Sequence, residues 1–145
     1  GISLLNKALK VNPVNSHALV ARGAVQMSKF ELDLAQEDLE KGIALSPLDS
    51  RLAVWRAVLA TAYLARNDLD RAHQVSLEAC SDCHKTYIPR VVLAGVEYTR
   101  GNIDQCIMSM REAYSIAPNL SEHQVKAYLG KMLAAKVLEV FNQST

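Results

Sequence analysis

Three stretches of the sequence repeat one instruction. "ALKVNPVNSHAL" ends at Leu19, "GIALSPLDSRLA" at Ala53 and "AYSIAPNLSEHQ" at Gln124. In each, a helical run stops at a proline, which has no amide hydrogen to donate and whose ring blocks the preceding turn. A polar residue able to cap a new helix follows. Pro13 and Pro47 are 34 residues apart, and a second comb of small residues, Ala35, Ala72 and Cys106, is spaced by 37 and 34. A period of this length marks units too small to bury their own apolar faces, which must therefore stack on their neighbours. The fold is constrained before any single residue is weighed.

Between the prolines lie the short turns "SKFELDLA", "RNDLDRA" and "RGNIDQC". Asp68 and Asn102 suit helix N-caps, Gly101 suits a helix C-terminus, and Ser28 with Glu31 has the spacing of a capping box. The spacing predicts a helix over 1–11 and hairpins of 15–28 with 31–45, 50–66 with 68–82 and 86–100 with 102–116. A last helix over 121–141 opens with a second box, Ser121 with Gln124. Prolines and glycines are few, four and six, with the prolines and Gly101 at or near the boundaries, and apolar residues recur at helical spacing. An all-α chain of one domain follows. Half of the 145 residues are apolar and 21% are charged, ordinary values for a globular domain. A net charge of +1 without a basic run gives no reason to expect nucleic acid or an anionic membrane as partner. Apolar runs such as "VLATAYLA" are too short to span a bilayer. The chain opens on Gly1 with a helix under way, which predicts a piece of a longer protein. Three cysteines make a disulfide framework improbable and point to a reducing, cytoplasmic setting.

The alternation of large and small apolar residues resembles the tetratricopeptide repeat (TPR) family. It is carried by Leu19, Gly23, Ala35, Leu39 and Pro47, then by Leu59, Ala60, Tyr63, Ala72 and Ala79. A third copy runs through Leu93, Ala94, Cys106, Met110, Ala113 and Pro118. The resemblance covers nearly the whole chain: 1–13 as the second helix of a truncated repeat, 14–47, 48–84 and 85–118 as full repeats, and 119–145 as a capping helix. The early aromatic residue of each repeat is missing, and the second repeat carries three extra residues. The shape of "LSPLDSRLAVWRAVLATAYLARNDLDRA" is similar to repeat arrays at the C-terminal end of bacterial multidomain signalling proteins, such as class III adenylate cyclases and winged-helix regulators. The resemblance implies a right-handed α-solenoid that recognises protein segments without catalysis, as a module of a larger regulatory protein.

One motif points elsewhere. Cys80, Cys83 and His84 in "ACSDCHK" have the spacing by which c-type cytochromes attach haem. The repeat register accounts for the same string without a cofactor: Cys80 takes a slot usually held by Leu, and Cys83 and His84 fall in the connection after the helix. Haem would also need a second axial ligand and a large apolar pocket, and zinc a second ligand pair. No cofactor and no metal are expected, and a haem or metal electron-transfer module is kept as the rival class. A free-standing secretion-type chaperone is a second rival.

The resemblance places the groove-lining positions on the first helix of each hairpin. These are His17, Val20, Ala24 and Met27, then Val54, Ala57, Val58, Thr61 and Leu64, then Ile88, Val91, Val92, Gly95, Tyr98 and Thr99. The lining is apolar and lacks the Lys, Arg and Asn with which relatives clamp acidic chaperone tails. It suits an amphipathic helix or an extended apolar segment, supplied by another protein or by another domain of the same chain. No catalytic constellation accompanies it: His17, His73 and His123 lie on different helices. Asp33, Glu37, Asp38 and Glu40 are expected to form a solvated face, and Trp55 to pack between hairpins. On the last helix, Val140 and Phe141 are candidates for a homodimer contact.

Overall fold

The computed structural model describes residues 1–144. They form eight helices and no strand: α1 (Ile2–Val11), α2 (Ser16–Ser28), α3 (Leu32–Leu45), α4 (Leu52–Ala65), α5 (Leu69–Asp82), α6 (Ile88–Thr99), α7 (Ile103–Ile116) and α8 (Glu122–Gln143). Each lies within two residues of its expected position. α2 pairs with α3, α4 with α5 and α6 with α7, and each hairpin packs on the next in chain order.

Side chains cap the N-terminal ends of α2, α5 and α8, whereas Asn102 stands at the N-cap of α7 without a side-chain cap bond. The Asn15 side chain accepts from the Ala18 amide at 3.0 Å, and Asp68 accepts from the Arg71 amide at 3.3 Å. At α8 the Ser121 hydroxyl accepts from the Gln124 amide while the Gln124 side chain accepts from the Ser121 amide, a complete capping box. Gly101 takes φ 85, the left-handed geometry expected after α6. The box expected at Ser28 and Glu31 does not form. Ser28 ends α2, and its hydroxyl donates to the Val25 carbonyl at 2.6 Å; Glu31 is itself the N-cap of α3 and makes no side-chain cap. A serine in a last helical turn bonds back to its own helix in preference to serving the next one.

The hairpins close on small residues. Ala35, Ala72 and Cys106 are all fully buried at the crossings. A Cβ on Gly23 would come within 2.7 Å of Leu39, and one on Gly42 within 2.8 Å of Val20, so no larger residue fits where α2 meets α3. The central core gathers Trp55, Leu59, Tyr63, Val92 and Val96 around Leu39, and a second gathers Val91, Met110, Leu120, Val125 and Val137. Trp55 packs between hairpins as expected, with the Arg51 guanidinium 4.8 Å above its ring.

The acidic face of α3 is not uniformly solvated. Asp38 is buried and takes a two-pronged ion pair from Arg22 on α2, at 2.6 and 2.9 Å. Glu40 accepts the Tyr63 hydroxyl at 2.9 Å, and Asp33 pairs with Arg66. Asp33 and Glu37 keep the exposed place expected of all four, Asp33 while paired with Arg66.

α8 is broken at Gly130, which holds φ 78 and ψ 166, a conformation open almost only to glycine. Before the break, Leu129 lies on α6 so closely that a Cβ on Gly95 would sit 2.5 Å from it. After the break, Ala134, Val137 and Phe141 join the second core, with Phe141 stacked on Tyr114 of α7 at 5.0 Å.

Ala72→Leu should destabilise the chain by about 1–3 kcal/mol by overpacking its crossing. Asp38→Ala should cost about 2–3 kcal/mol, since it strands the Arg22 guanidinium, whereas Glu37→Ala should stay within about 0.5 kcal/mol. Urea unfolding followed by circular dichroism measures all three.

Candidate functional site

The concave side, formed by the first helices of the hairpins, holds an open apolar groove of about 650 Å³. Ala24, Met27 and Ser28 of α2 form one wall. Val58, Thr61, Leu64 and Ala65 of α4 form the floor. Lys126, Tyr128, Leu129, Gly130 and Leu133 of α8 close the far end, and Phe30 and Leu32 stand at the α2–α3 turn. The amphipathic pattern of α2 and α4 turns one face to the second helix of each hairpin and leaves the other towards this concavity.

The expected lining residues divide into three groups. Ala24, Met27, Val58, Thr61 and Leu64 come together in the groove. Val20, Ala57, Val91, Val92 and Gly95 are buried: Val20, Ala57 and Val92 belong to the central core, while Val91 and Gly95 lie beneath α8. Val54, Ile88 and Tyr98 are half-buried, with Ile88 packed on the central core and Tyr98 on the second; Thr99 is exposed beyond them. His17 is exposed but drawn aside, because its Nδ1 meets the Arg51 guanidinium at 2.9 Å. Arg51 also grips Asp49, and these hydrogen bonds lower the Asp49 carboxyl to about 2.

Two parts of the groove lie outside the expected set. The α8 residues enter because the helix folds back over α6; the signal in the sequence is Gly130, a lone glycine inside a helical pattern. Phe30 enters from a turn. At the left-handed position of the three hairpin turns this chain has Phe30 (φ 57), Asn67 (φ 59) and Gly101 (φ 85). Asn and Gly take that conformation readily, while a bulky residue there is strained by about 1–2 kcal/mol. The Phe30 ring is 82% exposed. Aligning "KFEL", "RNDL" and "RGNI" would have singled it out.

The string Cys80, Cys83 and His84 is occupied by structure. Cys83 caps the end of α5, and its carbonyl accepts from the buried Arg90 at 2.8 Å; the other arm of Arg90 meets His84 Nδ1 at 2.8 Å. Burial pushes the Cys80 thiol up, against the pull of the Arg90 charge. Among the described residues, no three or more His, Cys, Asp or Glu side chains are grouped to hold a metal ion. Nor is any helix long and apolar enough to cross a membrane. Val140 and Phe141 are partly buried against the second core, and the Phe141 ring is engaged by Tyr114.

The protein is thus a solenoid of helix hairpins with an open apolar concavity. No protein-family model matches its sequence, and no curated protein does. Solved structures do match its shape. Over 99% of its length it is similar to the crystal structure of MamA, at 23% identity and a TM-score of 0.72, covering 84% of that chain. The TPR domain of Arabidopsis OM64 matches 90% of it at 13% identity and TM-score 0.71, covering 97% of that domain. YrrB, described as a TPR protein with an unusual peptide-binding site, matches 98% at 15% identity and TM-score 0.65, covering 75% of that chain. The chain has the fold of a TPR solenoid.

A thiol reagent should label Cys83 first and Cys106 last, because Cys106 is fully buried and its thiol is pushed up to about 11. The folded-state value lies above that of an unfolded thiol, so the contribution of Cys106 is intact below about pH 9 and is lost as pH rises towards 11. Cys106→Ala should flatten that decline in urea melts taken between pH 8 and 10.5.

Proposed function

We propose that this chain is a non-catalytic protein-recognition module whose concave groove takes an apolar segment of a partner protein, within a larger regulatory protein. The observation that carries the reading is the open concavity of about 650 Å³ with Ala24, Met27, Val58, Leu64, Tyr128 and Leu129 on its walls. Monomeric proteins rarely leave a contiguous apolar hollow of this size uncovered without a use for it. The fold it shares with TPR structures supports the same reading. The recognition surface is confined to the upstream half of the array, because α8 covers α6 downstream. Binding energy would come from apolar area removed from water, at about 25 cal/mol per Å² before ordering costs.

Thr61→Arg and Leu64→Glu should abolish partner capture and leave the melting temperature within about 5 °C, since both side chains are only half-buried. Val91→Glu should instead unfold the C-terminal part, because it places a charge under α8. Glu37→Lys on the convex face should change neither. A titration against the remainder of the parent protein, with circular dichroism as the folding control, reads these outcomes; loss of binding from Glu37→Lys alone would place recognition on the convex face.

A further inference from the structure

Taking the groove to be a recognition surface, as proposed above, we infer that its occupant is a short amphipathic helix bearing an acidic side chain, and that Phe30 is the rim residue that grips it. The first support is the poverty of hydrogen-bonding groups in the lining. Its two small hydroxyls are already committed: Ser28 donates to the Val25 carbonyl and Thr61 to the Val58 carbonyl, both at 2.6 Å. That leaves the Tyr128 hydroxyl and the Lys126 ammonium as its remaining polar side-chain groups, too few to serve a run of backbone. The walls are helices, whose amides and carbonyls bond along their own axes. An extended segment brings one amide and one carbonyl per residue and would bury them against carbon without partners. A helix bonds its own backbone and presents only side chains. Of the two modes an apolar groove permits, this lining selects the helix.

Charge and length narrow the occupant further. Among the described residues Lys126 is the one charged residue in the groove wall, and its contact with Glu122 is a loose one at 3.6 Å between two partly exposed side chains. An aspartate or glutamate on the incoming helix can take the open side of that ammonium. The helix cannot run on along the whole concave face, because Leu129 lies on Gly95 and blocks the way. A hollow of about 650 Å³ admits the apolar side chains that one helix face offers over about two to three turns.

Phe30 supplies the independent observation. The two matching turns place Asn67 and Gly101 at the left-handed residue, where either fits without strain. Here the chain holds a phenylalanine in the same conformation, with its ring in water at the mouth of the groove. Backbone strain and an exposed aromatic ring both disfavour this choice for the free protein. A ring that packs on an incoming helix explains both, since rim aromatics supply large contact area at low entropic cost.

The test uses a randomised library of 12-residue peptides displayed on phage and selected on the full chain, with Thr61→Arg protein as the subtraction control. Expected sequences carry apolar residues at i, i+3 or i+4, and i+7, together with an Asp or Glu. A fluorescein-labelled copy of the most enriched peptide is then titrated. Phe30→Asn should weaken binding about tenfold while its urea midpoint stays the same or rises, because Asn relieves the turn. Lys126→Glu should weaken binding at least about fivefold. Enriched sequences with period-two or proline-rich patterns would overturn the helical occupant. Affinity for Phe30→Asn within twofold of the parent would remove Phe30 from recognition, and no loss from Lys126→Glu would remove the acidic requirement. Failure to enrich any peptide over Thr61→Arg would instead sink the groove reading on which the inference rests.

Discussion

Everything in this molecule depends on how closely two helices can cross within a hairpin. The fully buried Ala35, Ala72 and Cys106 set that separation, and on the first hairpin Gly23 and Gly42 tighten it until no Cβ would fit. Close crossing matters because a helix pair has no sheet to hold it in register; ridges must seat in grooves, and one oversized side chain lifts the whole contact. With each pair fixed, α4 can lay Trp55, Leu59 and Tyr63 into the junctions on both sides, and the hairpins accumulate into a curved array. The groove is a by-product of that curvature. Its position and width follow from contacts made on the opposite side of each helix.

The groove has a definite end because of two glycines that do different work. Gly95 removes the side chain that would hold α8 away from α6, and Gly130 lets α8 change direction before it reaches α7. Together they turn what would be one more straight helix of the array into a cover over the third hairpin. The concave face is thereby divided into a filled part, where Val91, Val92 and Gly95 are interior, and an open part over α2 and α4. A residue's membership of the groove follows from this division as much as from its place on the first helix of a repeat.

The fold was legible in the sequence because it is encoded locally and repeated. Prolines, caps and small residues each act within a few positions, and the period shows which of them matter. What depends on a distant neighbour was not legible. Asp38 looks like its neighbours Glu37 and Glu40, and it is buried only because Arg22, on another helix, meets it. His17 sits at a lining position and is pulled away by Arg51, 34 residues downstream. Val91 matches an open position of a repeat, and it is the return path of α8 that covers it, while Val92 turns into the central core. Cys80, Cys83 and His84 show the converse case: a string with strong meaning in another setting lies here in a connection that Arg90 ties down.

The single tryptophan has a consequence for how this protein reports on itself. Trp55 lies in the central core, while the Tyr114–Phe141 stack anchors the second core and Leu9 with Leu19 forms a small third cluster at the start of the chain. In a linear array each unit is coupled only to its neighbours, so the ends can come apart while the middle persists. Tryptophan emission therefore watches the middle alone. α8 could detach from α6 and α7, opening the concave face along its whole length, while the fluorescence spectrum registered a folded protein.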